Sequence, residues 1–160
     1  MLIVLIGCRG SGKSTLGAWL AGQLQVPFFD SDDEVLHYLG FKTVTDAFHA
    51  LGEEGWRNAE LEVIQGLFNR AGVLSLGGGS PMISQLAQEI QKLDCVIHLF
   101  TDEETMISRI NEGEDRPLLK HDNMKIRIER MPKYTALATK EVNTSCSLKE
   151  AQSRLFEAIK

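Results

Sequence analysis

The run Gly7-Cys8-Arg9-Gly10-Ser11-Gly12-Lys13-Ser14 constrains this chain more than any other part of it. It matches G-x-x-x-x-G-K-[ST]. It follows the continuously apolar Leu2-Ile3-Val4-Leu5-Ile6 and precedes a segment in which Leu16, Trp19, Leu20 and Leu24 recur at helical spacing. An unbroken apolar run of that length is the pattern of a parallel strand covered on both faces, so the expected unit is strand, phosphate loop, helix. Glycines let successive backbone N–H groups turn inward around phosphate oxygens, and the helix N-terminus adds partial positive charge. On that basis Gly10, Ser11, Gly12, Lys13, Ser14 and Thr15 are the expected nucleotide contacts, with Lys13 reaching the β- and γ-phosphates and Ser14 a ligand for Mg²⁺. The competing reading is a glycine-rich turn without a ligand. The complete motif in its strand-to-helix setting weighs against it.

The rest of the chain repeats the alternation. Pro27 stops the first helical pattern before a short Phe28-Phe29 strand. Further strands are expected at residues 73–76, 96–100 and 141–143, separated by helical patterns such as Trp56, Ala59, Val63, Ile64 and Leu67. Strands alternating with helices predict an α/β fold with a five-stranded parallel sheet in three αβα layers. Ser80-Pro81 reads as N-cap and first helical residue, and Ser147 with Glu150 as a capping box. A chain of 160 residues suits one domain, here residues 1–160, with no interdomain linker. Residues 111–123 are polar and charged and carry Gly and Pro, which predicts a mobile loop, suited to a lid.

Charge and cysteine usage narrow the partners. Seventeen Lys and Arg against 22 Asp and Glu leave a net charge of −5, which disfavours nucleic-acid backbones and anionic membranes. The N-terminal apolar run is too short for a signal sequence or a membrane span. Three cysteines with no C-x-x-C spacing fit a reducing compartment, so the expected location is cytoplasmic. A monomer is the default expectation.

Four other features carry chemistry. Directly after the second strand comes Phe29-Asp30-Ser31-Asp32, and strand carboxyl ends of an open parallel sheet face the ligand crevice. Asp30 is placed to hold Mg²⁺ through water and Asp32 to accept a proton from an attacking hydroxyl. The same carboxylates also make a good helix N-cap cluster, and the two readings weigh equally. Gly77-Gly78-Gly79 brings a backbone without side chains to that edge, where a small polar ligand could approach closely. Arg57, Arg109, Arg116 and Arg130 could converge on a carboxylate or phosphate, Arg116 as a lid residue, although each alone reads as a surface charge. Cys8 lies inside the cradle, so its alkylation is expected to block ATP unless it is a buried apolar filler.

Taken in order, GCRGSGKST at 7–15, DSD at 30–32, GEEGWRNAE at 52–60, LGGG at 76–79, RPLL at 116–119 and RMPKY at 130–134 resemble shikimate kinase over almost the whole chain. The resemblance implies a P-loop kinase of the nucleoside-monophosphate-kinase type, with sheet order 2-3-1-4-5 and an acceptor-binding helical segment at about residues 31–70. It implies transfer of the γ-phosphate of ATP to shikimate, a step of aromatic amino-acid synthesis, with Mg²⁺. Asp32, Arg57, Gly77, Gly78, Gly79 and Arg130 match acceptor-binding positions, and Glu60 a supporting one. Arg57 and Arg130 would clamp the ring carboxylate, and Asp32 would deprotonate the acceptor hydroxyl. Lys13 and Arg116 would neutralise the moving phosphoryl group, Ser14 and Asp30 would hold Mg²⁺, and Arg109 would lie against adenine. The chain departs from the pattern at Thr144-Ser145-Cys146, which has no basic residue. The rival readings are a kinase for another small alcohol such as gluconate, and a catalytically silent nucleotide-binding module.

Overall fold

The computed structural model describes residues 1–112 and 120–160. In chain order the elements are β1 (Leu2–Ile6), α1 (Lys13–Leu24), β2 (Phe28–Asp30), α2 (Ser31–Leu39), α3 (Val44–Leu67) and β3 (Gly72–Ser75). A 3-10 turn (Ser80–Met82), α4 (Ser84–Ile90), β4 (Val96–Phe100), α5 (Glu103–Glu112), α6 (Lys120–Leu137), β5 (Lys140–Asn143) and α7 (Leu148–Ala158) complete it. All strand pairs are parallel and the sheet order is β2-β3-β1-β4-β5, as expected.

Why β1 is apolar at every position is now plain. Val4 and Ile6 pack with Ile64, Leu67, Leu86, Ile90 and Leu137 on one face, and Ile3 and Leu5 pack with Leu16, Leu20, Ala151 and Leu155 on the other. Successive side chains of a strand point to opposite faces, so a central strand between two helical layers turns every side chain into an apolar layer. Burying a Leu or Ile fully is worth roughly 1.5–3 kcal/mol, and Leu5, Ile6, Leu74, Ile97 and Leu99 are almost wholly enclosed. The sheet is therefore a rigid base, and β1 lies at its centre with its carboxyl end feeding the phosphate loop.

Helix ends follow their local chemistry with one exception. Ser147 caps α7, its Oγ accepting the Glu150 N–H at 3.2 Å, while the Glu150 carboxylate takes Arg154. Ser80 does not cap an α-helix. Ser80-Pro81-Met82 is a 3-10 turn, α4 starts only at Ser84, and the Ser80 hydroxyl is spent on Glu60 instead. Pro81 suits both kinds of helix start, so local sequence could not separate them.

One polar group crosses the core. His98 on β4 is fully buried, packs against the Phe100 and Tyr134 rings, and meets Glu141 of β5 through Nδ1 at 2.9 Å. Burial holds the His98 pKa below its ordinary value, against the opposing pull of Glu141, and the hydrogen bond from His98 lowers Glu141 in turn. The folded His98 value is depressed, so its contribution is present above the unfolded pKa of His, about 6.5, and is lost as pH falls from there toward the folded value, whereas the Glu141 contribution is lost only below its ordinary value of 4.5. The melting temperature is expected to begin dropping as pH falls through about 6.5, and His98→Phe to flatten that part of the drop. An unchanged slope in His98→Phe would assign the acid sensitivity to other groups.

Candidate active site

Parallel strands deliver β1, β2 and β3 to one edge by their carboxyl ends, and the register aligns Leu5 and Asp30 with Ser75. Three loops therefore start side by side: the glycine-rich loop after β1, the acidic start of α2, and the glycine triplet after β3.

In the first loop, Gly7 packs so closely on β4 that a Cβ there would lie 2.2 Å from the Leu99 carbonyl oxygen. Cys8 to Ser11 then form a tight turn, with the Ser11 N–H donating to the Cys8 carbonyl at 3.2 Å and Gly10 at φ +81°. A positive φ at the third residue of such a turn favours glycine. Lys13 Nζ reaches back over the loop to the Gly7 and Cys8 carbonyls at 2.8 and 2.9 Å. Gly12 is the N-cap of α1 and supplies no side-chain cap, so the first turn presents its N–H groups to the loop, an arrangement suited to an anion.

Asp30 takes the helix-capping reading and also reaches the phosphate loop. Its Oδ1 accepts the Asp32 N–H at 3.0 Å and caps α2, while Oδ2 accepts the Ser14 hydroxyl at 2.6 Å. Ser14 and Asp30 thus form a hard-oxygen pair beside the phosphate loop. Mg²⁺ is usually held by one or two such protein ligands together with substrate phosphates and water, so these residues fit it. Among the described residues no group of three or more His, Cys, Asp or Glu could hold a metal by itself.

The triplet is a floor with a charged side chain over each residue. A Cβ on Gly77 would lie 2.6 Å from Asp32 Oδ1, one on Gly78 3.2 Å from an Arg130 amino nitrogen, and one on Gly79 2.3 and 2.5 Å from the two amino nitrogens of Arg57. One glycine would make the turn. A side chain at any of the three positions would crowd one of these charged groups.

Buried partners hold those groups. Glu60 is only 1% exposed, takes Arg57 at 2.5 Å through one oxygen and the Ser80 hydroxyl at 2.9 Å through the other. Burial pushes the Glu60 carboxyl up, and the Arg57 charge works against it. Ser31, fully buried, accepts the Gly77 N–H at 2.9 Å and so pins the start of α2 to the triplet. The Tyr134 hydroxyl donates to the Gly78 carbonyl, and burial raises the phenol pKa so that it stays a donor.

Two cavities result. One, of about 580 Å³, is bordered by Gly10, Gly12, Lys13, Ser14, Thr15, Asp30 and Arg109 among others. The second, of about 510 Å³, is bordered by Arg57, Glu60, Gly79 and Arg130, with Phe48, Trp56 and Met106 as apolar walls. Arg9, Asp32, Gly77 and Gly78 border both. Ser11 borders neither. It is buried, and its Oγ has no partner among the described residues. Arg109 binds the Gly10 carbonyl at 3.1 Å and the Thr144 carbonyl at 2.6 Å, so it brings a cation to the 144–146 segment that has none of its own. Arg116 lies outside the described residues, as does most of the segment expected to form a lid.

The model of the family described as shikimate kinase matches residues 9–160. The chain belongs to the shikimate kinase family. A shikimate kinase of Thioalkalivibrio sulfidiphilus is 37% identical over 148 residues, 89% of this chain and 77% of that protein. Shikimate kinase 1 of Yersinia enterocolitica is 36% identical over 89% of this chain and 86% of its own length. Among solved structures, the shikimate kinase of Acinetobacter baumannii in complex with shikimate superposes with a TM-score of 0.91 at 28% identity, covering 99% of this chain and 92% of the other. That of Aquifex aeolicus gives 0.86 at 28% identity, over 99% and 96%. The shikimate kinase resemblance in the sequence pointed to most residues that border the nucleotide cavity and to fewer than half of those that border the acceptor cavity. It gave no role to Ser31, Ser80 and Tyr134, whose contacts are with backbone or with residues distant in the chain.

Proposed function

We propose that this shikimate kinase family member transfers the γ-phosphate of ATP to the 3-hydroxyl of shikimate, giving ADP and 3-phosphoshikimate on the route to aromatic amino acids. The observation that carries the reading is the pair of cavities meeting at Asp32, one ending in a phosphate cradle and the other in two arginines. Phosphoryl transfer needs little covalent help from protein, so alignment and charge neutralisation are the work to be done. The cradle N–H groups and Lys13 hold the β- and γ-phosphates. Arg57 and Arg130 take the ring carboxylate, fixing the ring with its 3-hydroxyl toward Asp32. Asp32 orients that hydroxyl and accepts its proton as the oxygen bonds to the γ-phosphorus and the bond to the β-phosphate oxygen breaks. Ser14 and Asp30 would hold Mg²⁺, which would offset charge on the phosphates. Arg116 is the lid residue in this reading, and Arg109 lies at the base-binding end.

We place the enzyme in the cytoplasm without nucleic-acid or membrane partners, on its acidic charge balance and lack of C-x-x-C spacing, and as a monomer on its size. No helix among the described residues is long and apolar enough to cross a membrane. Steady ADP release that requires shikimate, and is not supported by gluconate or by ATP alone, is the test. Activity with gluconate or acceptor-independent turnover would overturn the assignment.

Cys8 gives a second check. It borders the acceptor cavity and not the nucleotide cavity, which reverses the expectation that its alkylation competes with ATP. Burial also pushes the Cys8 thiol up, against the pull of Lys13, which lowers the thiolate fraction near neutrality. Alkylation is expected to be slow, and shikimate should protect where ATP alone does not. Protection by ATP alone would place the thiol on the phosphate side.

A further inference from the structure

Four residues border both cavities, and their chemistry differs sharply. Gly77 and Gly78 contribute no side chain, Asp32 is the acidic residue of the four and Arg9 the basic one. A phosphoryl group passing from one cavity to the other must cross this seam, where the acidic side chain repels it. Lys13 borders only the nucleotide cavity, and its Nζ reaches the Gly7 and Cys8 carbonyls. Arg9 occupies the second position of the Cys8–Ser11 turn, closed by its own backbone hydrogen bond. The Cα of Arg9 is therefore held on a rigid loop, next to Gly10, where a Cβ would lie 3.3 Å from the Met106 carbonyl of α5. Anchorage of that kind lowers the ordering cost of placing a long side chain at a reacting centre.

We propose that Arg9 is a further catalytic residue, whose guanidinium contacts the phosphoryl group while it crosses the seam and stays with it on the product. The role rests on the kinase reading above. It is separate from that of Lys13, which stabilises the donor end, and from those of Arg57 and Arg130, which hold the far end of the acceptor. A forked guanidinium can bond two phosphoryl oxygens at once, and charge supplied there is worth most when the oxygens are shared between donor and acceptor. The distinguishing consequence is in the ligands. ATP keeps Lys13 and the loop N–H groups, and shikimate has no phosphate to lose. Only the transition state and 3-phosphoshikimate depend on Arg9.

The test is Arg9→Met, which retains much of the length without the charge, alongside Arg9→Lys. Turnover in Arg9→Met is expected to fall about 30-fold, with KM for ATP and shikimate moving less than about threefold. Calorimetry should show 3-phosphoshikimate binding weakened about tenfold while shikimate binding holds, and Arg9→Lys should recover part of both losses. Equal weakening of shikimate and its phosphate would make Arg9 a carboxylate contact and overturn the proposal. Unchanged product affinity, with or without a loss of turnover, also overturns it. ADP affinity reports an intact loop, and if Arg9→Met does not fold, Arg9→Gln gives the same comparison. Failure of the kinase assignment itself is visible earlier, as wild-type protein that does not turn over shikimate.

Discussion

Asp32→Asn is expected to lose turnover by about 10²–10⁴-fold while binding ATP within about threefold of the unaltered chain. The substitution keeps size and shape, which matters because Asp32 Oδ1 lies where a Cβ on Gly77 would stand only 2.6 Å away. It leaves the backbone N–H that donates to Asp30, so α2 still starts where it does and Asp30 still meets Ser14. What disappears is the capacity to take a proton. An asparagine amide can orient a hydroxyl but cannot accept its proton as the oxygen attacks phosphorus. Rapid-quench turnover together with nucleotide binding decides the matter. Turnover within fivefold of normal would remove Asp32 from proton transfer and leave it an orienting group.

Arg57→Ala should show two effects that a second substitution can separate. Loss of the guanidinium removes a charge-assisted contact to the acceptor carboxylate, worth about 1.5–3 kcal/mol and hence about 10- to 100-fold in shikimate affinity, with ATP affinity preserved. It also leaves the Glu60 carboxylate, 1% exposed, with only the Ser80 hydroxyl. Removing one member of a buried pair costs 3–5 kcal/mol, and because the Arg57 side chain is 26% exposed the expected loss here is smaller, about 2 kcal/mol. In Arg57→Ala with Glu60→Gln, no unpaired charge remains. Thermal stability should return while shikimate affinity stays low. If the double variant regained affinity, Arg57 would matter only as a counter-ion, and equal losses for ATP and shikimate would contradict the clamp.

How far the site was legible in the sequence depended on distance along the chain. The phosphate loop is eight consecutive residues between two strongly patterned elements, so both its conformation and its contents could be read directly. The sheet was equally open, because β1 is apolar without interruption and only a two-sided cover explains that. Ser80 was misread because its neighbour Pro81 suits a cap, whereas a carboxylate twenty positions earlier claims its hydroxyl. Asp30 was ambiguous for a physical reason. A carboxylate has two oxygens, and here they do different jobs. The glycine triplet looked like space left for a ligand. The structure adds that the space lies beneath protein charges, which no local pattern encodes, since Asp32, Arg57 and Arg130 come from α2, α3 and α6.

That stacking of one charge over each glycine limits how such an enzyme can diverge. Any replacement in the triplet would press a side chain against Asp32, Arg130 or Arg57, so the turn offers little room for gradual retooling toward other alcohols. Novel acceptor preferences are expected to arise on the opposite wall, which Phe48 and Trp56 help to form. A lineage of this fold should therefore vary its diet through the helices after β2 while inheriting the bare turn unaltered.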